Sequence, residues 1–374
     1  MKHRKALLAI IGVVAVAIVG WLIYRANVPP REEVIKIGAI LPLTGNLAFL
    51  GQPEKEALEV AIKEIRNNER IRIQLFVEDS KGQAKDAISS AQKLLNIDKV
   101  NVGIVSTSAL SNAVAPIFQH SRVPLITICS DETIARRYDN VVNIYVNLDS
   151  EQETMAKFLL SEGISKISTI RVNAQITERG VKLLQDKSGG VLQIVNDITY
   201  ELGTANYRDL VSKVRDDASQ AIYLMGYGIE FPTLVRTLRE MGVKKRVFGN
   251  YTFLSDGARR EGTQLYKGIY FTAFTVTPND ILLTPFGKEF ARVREGSLSP
   301  FMDYLFVYEA IRIWYRTTKS GVPLDRFPEY VRGRVFPTLL GPMEIDNTGN
   351  AKVPMAIATY AEDGSVRIVW RMNQ

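Results

Sequence analysis

The chain has 374 residues, 46% of them hydrophobic, which is enough apolar material for two folded domains, or three. Its formal net charge is +7, but four basic residues lie within the first 30 positions with no acid among them. The remainder is too mildly basic to indicate nucleic-acid binding. A single cysteine excludes an intrachain disulfide, and it leaves oxidising and reducing compartments both open.

The N-terminal segment has the pattern of a membrane or export signal. The basic start MKHRK precedes nineteen uncharged residues, 6–24, which as a helix would span about 28 Å, close to the hydrocarbon thickness of a bilayer. Trp21 and Tyr24 suit a membrane interface. The alternative is a cleaved secretory signal, because residues 15–17, AVA, have the spacing of a cleavage site. Under both interpretations the protein is exported. We prefer the uncleaved anchor, which together with its linker occupies residues 1–30.

The body of the chain begins near Val34 and alternates between two patterns. Apolar runs short enough for buried strands, such as VIKIGAIL and VNVGIV, are separated by segments of helical period, and a second series of the same kind follows residue 150. This alternation predicts an α/β fold with two doubly wound parallel-sheet lobes. After Gly268 the pattern changes to a long helix over residues 303–318 and a closing hairpin that turns at EDG.

Several kinds of chemistry are missing. Histidine occurs only at His3 and His120, which excludes histidine metal sites and histidine triads. The glycine loops that bind nucleotide phosphates and the nucleophile elbow of hydrolases are also missing. Cys129 follows an apolar strand and has no histidine to act as its base, so packing is a better interpretation than catalysis. We therefore expect no enzymatic activity, no metal and no cofactor.

Three loops bring candidate ligand groups to the carboxyl ends of strands, where open α/β sheets bind ligands. Phe49 and Leu50 follow the first strand, residues 106–108 (STS) the third, and residues 129–131 (CSD) the fourth. Ser108 begins an alanine-rich helical pattern. It could cap that helix, or it could receive a carboxylate together with the free N–H groups of the helix start.

Four segments in order carry a resemblance to a known family. They are IKIGAILPLTGNLAFLGQPEKEALEVAIKEI, GIVSTSALSNAVAPIFQHSRVPLITICSDET, AIYLMGYGIEFPTLVRTLREMGV and GPMEIDNTGN. Over almost all of residues 34–370 the chain resembles the periplasmic leucine/isoleucine/valine-binding proteins, the type I substrate-binding proteins of branched-chain amino acid ABC transporters. The resemblance implies two lobes joined by a three-crossing hinge, with the ligand caught between them by hinge closure.

The resemblance also implies where the lobes begin and end. The crossings fall near residues 146–149, 272–276 and 341–346. The first lobe then comprises residues 34–146 plus 273–343, and the second comprises residues 147–272 plus 344–374.

The resemblance assigns roles to individual residues. Thr107 and Ser108 receive the ligand carboxylate, while the Cys129 backbone and the Asp131 side chain accept from its amino group. In addition, Tyr227 closes over the ligand from the second lobe, and we expect Tyr251 to act as a second lid over a side-chain wall of Phe49 and Leu50.

The chain departs from the family at two positions. Asn250 and Tyr251 stand where the family has an acid that grips the ammonium, and Ile176 stands near a family aromatic. Asp131 could supply the missing charge, because an ammonium buried without a counter-charge is costly, or the ligand could lack an amine.

The expected function is therefore extracytoplasmic binding of a small carboxylate-bearing ligand, an amino acid or a relative, for transfer to an ABC permease. The expected partners are that ligand, the permease, and the membrane through the N-terminal helix, with no nucleic acid. The alternative is a membrane-anchored ligand-sensing receptor domain. Ligand identity, cleavage of the N-terminal segment and oligomeric state stay open.

Overall fold

The computed structural model describes residue 20 and residues 34–68, 72–293 and 302–372. The predicted N-terminal anchor, residues 6–24, lies outside the described residues apart from Gly20. Among the helices that are described, none combines the length and the apolar character needed to cross a membrane.

The first lobe is built on a five-stranded parallel sheet. Its strands are β1 (Val34–Leu41), β2 (Arg72–Asp79), β3 (Val102–Ser106), β4 (Leu125–Ile128) and β5 (Val141–Asn143), in the spatial order β2-β1-β3-β4-β5. They are connected by the α-helices α1 (Ala48–Asn68), α2 (Ala84–Lys93), α3 (Ser108–Ser121) and α4 (Thr133–Arg137), and a short π-helix (Leu94–Asp98) follows α2 directly. The central strands β3 and β4 are buried along their whole length, as expected for a parallel sheet covered on both faces.

The second lobe repeats the alternation. It contains α5 (Leu148–Ser161), β6 (Lys166–Val172), α6 (Gln175–Lys187), β7 (Gln193–Tyr200), α7 (Arg208–Arg215), β8 (Ala221–Met225), α8 (Phe231–Glu240), β9 (Arg246–Gly249), α9 (Asp256–Arg259) and β10 (Ile269–Phe274). Strands β6 to β10 run parallel to one another, with single-turn 3₁₀ helices at Tyr251–Leu254 and Thr263–Tyr266. The predicted series of strands and helices is confirmed here.

The C-terminal part returns to the first lobe and then completes the second sheet. It contains α10 (Pro278–Leu282), α11 (Pro285–Val293), α12 (Met302–Lys319), a short 3₁₀ helix (Leu324–Arg326), α13 (Phe327–Val331), β11 (Arg334–Thr338), β12 (Gly341–Ile345), β13 (Ala351–Lys352), β14 (Met355–Tyr360) and β15 (Val366–Arg371). Helix α12 packs on α1, where the Tyr308 hydroxyl donates to Glu64 at 2.5 Å. Strands β11 to β13 form a small antiparallel sheet.

The predicted C-terminal hairpin is confirmed. Strands β14 and β15 pair antiparallel, and the chain reverses at residues 361–365, where Gly364 has a φ of 81°. Because β14 also pairs antiparallel with β10, the second sheet has seven strands in the order β15-β14-β10-β9-β8-β6-β7. The two-lobed α/β architecture expected from the sequence is therefore present, whereas the residue boundaries of the lobes stay a prediction.

Three stretches of chain pass between the two sheets. The first follows β5, the second follows β10, and the third runs from the small sheet into β14. Asn143 at the end of β5 ties the first stretch to the third, because its N–H donates to the Gly349 carbonyl at 2.8 Å and its Nδ2 lies 3.2 Å from Asn350 Oδ1. Buried amide contacts of this kind hold the crossings in register.

Candidate functional site

The carboxyl ends of both parallel sheets face a cavity of about 360 Å³ between the lobes. The first lobe contributes Asn46 and Phe49. The second lobe supplies the rest of the lining: Leu202, Gly203, Thr204, Tyr207, Ile229, Glu230, Thr233 and Arg260. The cavity thus has an apolar wall with polar groups and one acid and one base around it, which is the usual composition of a small-molecule site.

Phe49 is the predicted site residue that lines this cavity. It lies half-buried in the first turn of α1, beside Leu50, which is also half-buried. The loop before them is held by Asp79 at the end of β2, whose carboxylate accepts from the Thr44 hydroxyl at 2.6 Å and from the Leu43 N–H at 2.9 Å. The other seven predicted residues, all described by the structure, are not part of the cavity lining.

Thr107 occupies a strained position at the start of α3. Its φ of 69° and ψ of 148° lie in a region that glycine adopts far more readily than a β-branched residue. Thr107, and not Ser108, is the cap residue of the helix, and its side chain makes no capping hydrogen bond. The capping interpretation of Ser108 is therefore wrong, and Ser108 is instead the first residue of the helix, half-buried.

Two hydroxyl groups beside this helix start have no protein partner. The Oγ of Ser106 and the Oγ1 of Thr107 are buried, and neither hydrogen-bonds to any described residue. The first N–H groups of a helix lack intrahelical acceptors, and the helix dipole adds partial positive charge there. Helix N-termini bind carboxylates in many proteins, and the start of α3 is not part of the cavity lining described above.

The loop after β4 is already hydrogen-bonded within the protein. The carbonyl of Cys129 accepts from Asn143 Nδ2 at 2.9 Å, and Cys129 itself is only 2% exposed. Burial raises the pKa of its thiol to about 11, so the thiol is neutral at physiological pH. This agrees with a packed residue and opposes a nucleophile.

Asp131 is committed to protein donors. Its carboxylate accepts from the Thr133 hydroxyl at 2.6 Å, from the Thr133 N–H at 3.1 Å and from Asn112 Nδ2 at 2.8 Å. Burial on its own would raise the pKa of Asp131, but these hydrogen bonds and the charge of Arg137 outweigh it and lower the pKa. The carboxylate therefore stays ionised while it organises the loop, and its role toward a ligand amine stays a prediction.

The backbone of Tyr227 contacts Glu230, an acid that is not among the site residues predicted from the sequence. Its backbone N–H donates to Glu230 Oε1 at 2.8 Å, and the Tyr200 hydroxyl donates to the same oxygen at 2.7 Å. Glu230 is 6% exposed, lines the cavity, and its Oε2 has no hydrogen-bond partner among the described residues. Burial raises the pKa of Glu230, and burial followed by the charge of Glu230 raises that of Tyr227. The position of Glu230 directly before a helix, in the segment GYGIEF, is the sequence feature that could have indicated it.

Tyr251 lies in the hinge, 6% exposed, and not over the cavity. Its hydroxyl is 2.5 Å from that of Tyr145, and its N–H donates to the buried Glu151 at 2.9 Å. Glu151 Oε1 also accepts from Thr272, and burial raises its pKa. These contacts tie the loop after β9 to the first crossing through Tyr145 and, through Glu151, to β10. The lid role expected for Tyr251 stays a prediction.

Metal-binding side chains do not cluster in the part of the chain that the structure describes. There, no group of three or more histidine, cysteine, aspartate or glutamate side chains is arranged to hold a metal ion.

Nearly the whole folded part of the chain matches a known family model. The model of the periplasmic binding proteins aligns with residues 34–365. The chain belongs to the periplasmic binding protein family. The resemblance found in the sequence is confirmed, and the α/β fold is the type I arrangement that it implied.

Relatives and solved structures cover nearly the whole chain. The Leu/Ile/Val-binding protein BraC3 of Rhizobium johnstonii is 24% identical over 87% of this chain and 91% of its own length. The isoleucine complex of LivJ from Streptococcus pneumoniae has a TM-score of 0.77 at 19% identity, and covers 90% of this chain and 100% of LivJ. An ABC transporter solute-binding protein from Rhodopseudomonas palustris in complex with 3,4-dihydroxybenzoic acid has a TM-score of 0.79 at 19% identity. The match covers 90% of this chain and 96% of that protein. At such identities the structural likeness establishes the fold alone.

Proposed function

We propose that this family member is the substrate-binding protein of an ABC transporter and captures a small carboxylate between its lobes. The single observation that carries the proposal is the start of α3. There a strained Thr107, a helix N-terminus and two buried hydroxyls that find no partner among the described residues lie together. Strain and unmet hydrogen-bonding capacity are costs that a bound anion would offset.

The names of the similar proteins support the same ligand class. One relative is named for leucine, isoleucine and valine, and the solved structures hold isoleucine or 3,4-dihydroxybenzoic acid. All of these ligands bear a carboxylate next to an apolar or aromatic body. In the cavity, whose lining does not include the start of α3, the apolar wall of Phe49, Leu202, Tyr207 and Ile229 suits such a body. Binding, not turnover, is then the activity.

The proposal includes an extracytoplasmic location. The apolar segment over residues 6–24 with its basic flank supports export and retention at the membrane. Fractionation of cells that express the full chain tests this part, because a retained anchor places the protein in the membrane pellet and a cleaved signal places it in the soluble extracytoplasmic fraction.

Calorimetric titration of the full chain tests the ligand class. The panel pairs isoleucine, leucine and 3,4-dihydroxybenzoate with matched primary amides or alcohols that lack the carboxylate. We expect binding of at least one carboxylate and a loss of roughly tenfold or more in affinity in Ser108→Ala, the size of one lost charge-assisted hydrogen bond. Ser121→Ala, at the opposite end of the same helix and exposed, is the matched control. Equal affinity for the amides, or an unchanged affinity in Ser108→Ala, would overturn the proposal.

A further inference from the structure

The second lobe reaches the first lobe through the guanidinium of Arg179. Arg179 lies in α6, and Glu132 lies between β4 and α4 of the first lobe. Nη1 of Arg179 donates to Oε2 of Glu132 at 2.7 Å, and Nη2 donates to Oε1 of the same carboxylate. Because both oxygens are engaged, the pair is a bidentate ion pair between the lobes.

Glu132 is buried in this arrangement. It is 1% exposed, whereas the Arg179 side chain is 29% exposed. A buried carboxylate is tolerated when a cation and hydrogen bonds compensate the lost hydration, and it becomes costly when its partner is removed. The other cation near Glu132 is Arg136, whose Nη2 is 4.0 Å from Oε1. Arg179 is therefore the main counter-charge of Glu132.

Arg179 also contacts acids on both sides of the boundary between the lobes. Its Nη1 is 3.9 Å from Asp131 in the first lobe, and its Nη2 is 3.8 Å from Asp149 at the start of α5. Lys187 lies about two helical turns after Arg179 in α6, and its Nζ is 3.3 Å from Asp149 Oδ1. The group therefore has three carboxylates and two of the cations of α6, Arg179 and Lys187, and the guanidinium of Arg179 contacts all three carboxylates.

The first-lobe side of the pair belongs to the loop after β4. The backbone carbonyl of Glu132 accepts from Asn350 Nδ2 at 3.0 Å, and Asp131 is the neighbouring residue. This is the loop whose Cys129 and Asp131 are predicted to contact the ligand. A contact that orders this loop from the second lobe therefore couples the position of the lobes to the shape of the binding site.

We propose that Arg179 is a positioning residue, an inter-lobe clamp whose pairing with Glu132 favours the lobe arrangement seen in this structure and orders the loop after β4. The inference rests on the proposed function, because it concerns how the binding site is assembled. When the lobes separate, water hydrates both charges. When Arg179 alone is removed, the penalty falls on the arrangement in which Glu132 is buried, so the equilibrium shifts toward separated lobes.

A distance measurement on the full chain tests the clamp without any ligand. Spin labels at Lys85→Cys in the first lobe and Lys213→Cys in the second report the separation of the lobes by double electron–electron resonance, since both positions are exposed while the native Cys129 is buried. We expect Arg179→Met and Glu132→Gln each to shift the distribution to longer distances. In the double variant we expect the distance distribution to return toward that of the wild type, because no unpaired charge is left.

The matched control is Arg208→Met. Arg208 pairs with Glu240 at 3.2 Å within the second lobe, and both side chains are largely exposed, so its loss leaves the separation of the lobes unchanged. Should Arg179→Met fold poorly, Arg179→Lys serves in its place, because it keeps the charge and loses the bidentate contact. Unchanged distances in the single variants, or a double variant that is no closer to the wild type than the singles, would overturn the clamp.

Titration with isoleucine and 3,4-dihydroxybenzoate separates this inference from the proposed function. If the wild type binds, the single variants lose roughly tenfold or more in affinity, mostly through faster dissociation, and Arg179→Lys recovers part of it. If the wild type binds neither compound nor any other carboxylate, the proposed function fails while the distance measurement still decides the clamp.

Discussion

The hydroxyl groups of Tyr145 and Tyr251 meet at 2.5 Å, where the first crossing between the sheets passes the loop after β9. The two rings pack edge to face with centroids 6.3 Å apart, and Tyr145 also packs against Phe306 of α12. The contact joins residues that are 106 positions apart in the chain. It therefore makes Tyr251 part of the hinge structure.

Tyr251→Phe is expected to affect stability more than binding. The variant keeps the ring and loses the hydroxyl, so we expect the free energy of unfolding to fall by about 1 kcal/mol, measured by urea denaturation. Ligand affinity stays within about threefold of the wild type, because a lost hinge hydrogen bond removes no ligand contact. A loss of affinity above tenfold with unchanged stability would instead support the lid role expected from the sequence.

Thr107→Gly separates strain from ligand binding. Glycine adopts a φ of 69° without steric cost. We therefore expect the free energy of unfolding of the variant to equal that of the wild type or to exceed it by about 1 kcal/mol. It also removes the unpartnered hydroxyl, and we expect carboxylate affinity to fall. Thermal denaturation and calorimetry are run side by side. A destabilised variant with full affinity would show that the conformation serves packing and not the ligand.

Glu230→Gln is expected to change how stability depends on pH. Burial raises the pKa of Glu230 in the folded protein above its value in the unfolded chain, so the folded state binds this proton more tightly. The contribution of Glu230 to stability is complete below the unfolded pKa, near 4.5, and declines as pH rises through the folded pKa. Glutamine keeps the acceptor oxygen for Tyr200 and Tyr227 and does not ionise.

The measurement is the free energy of unfolding of Glu230→Gln minus that of the wild type, from pH 4.5 upward to pH 8. We expect this difference to become more positive as pH rises. Glu240→Gln, at the exposed end of the helix that follows Glu230, is the control for the loss of one carboxylate charge. A pH-independent difference for Glu230→Gln would contradict the raised pKa.

Cys129 is expected to resist alkylation while the protein is folded. Its thiol is 2% exposed and its pKa is raised to about 11, so both access and thiolate population are low at pH 7. Iodoacetamide should modify it only as the protein unfolds in denaturant, and mass spectrometry at increasing urea concentration follows the reaction. Rapid modification of the native protein would reopen the possibility of a reactive thiol.

Local sequence patterns predicted much of the fold. Strands such as β3 are continuous apolar runs because a parallel sheet buries both faces, and the C-terminal hairpin has turn residues between alternating segments. The strand ends likewise pointed to Phe49 and to the start of α3. Both are consequences of residues close together in the chain, and periodicity is informative at that range.

Contacts between distant residues were not predictable in this way. From the sequence, the aromatic Tyr251 could equally cover a ligand or pack between the sheets, and its contact with Tyr145 became visible only in the tertiary structure. Glu230 looked like an ordinary helix-start acid until the fold placed it against Tyr200 and the cavity. The pairing of Arg179 with Glu132, across 47 positions, left no pattern in either segment.

The sequence by itself determined the two α/β lobes and the family, because the local order of apolar and polar residues depends on which residues a parallel sheet buries. Only the tertiary structure decided which polar groups keep free hydrogen-bonding capacity and which are used up by the protein. The carboxylate of Asp131 is hydrogen-bonded within the protein, whereas the buried hydroxyls of Ser106 and Thr107 have no partner in the part of the chain that the structure describes. The physical reason is that hydrogen bonds and ion pairs depend on distances of a few ångströms between segments that the chain order leaves far apart.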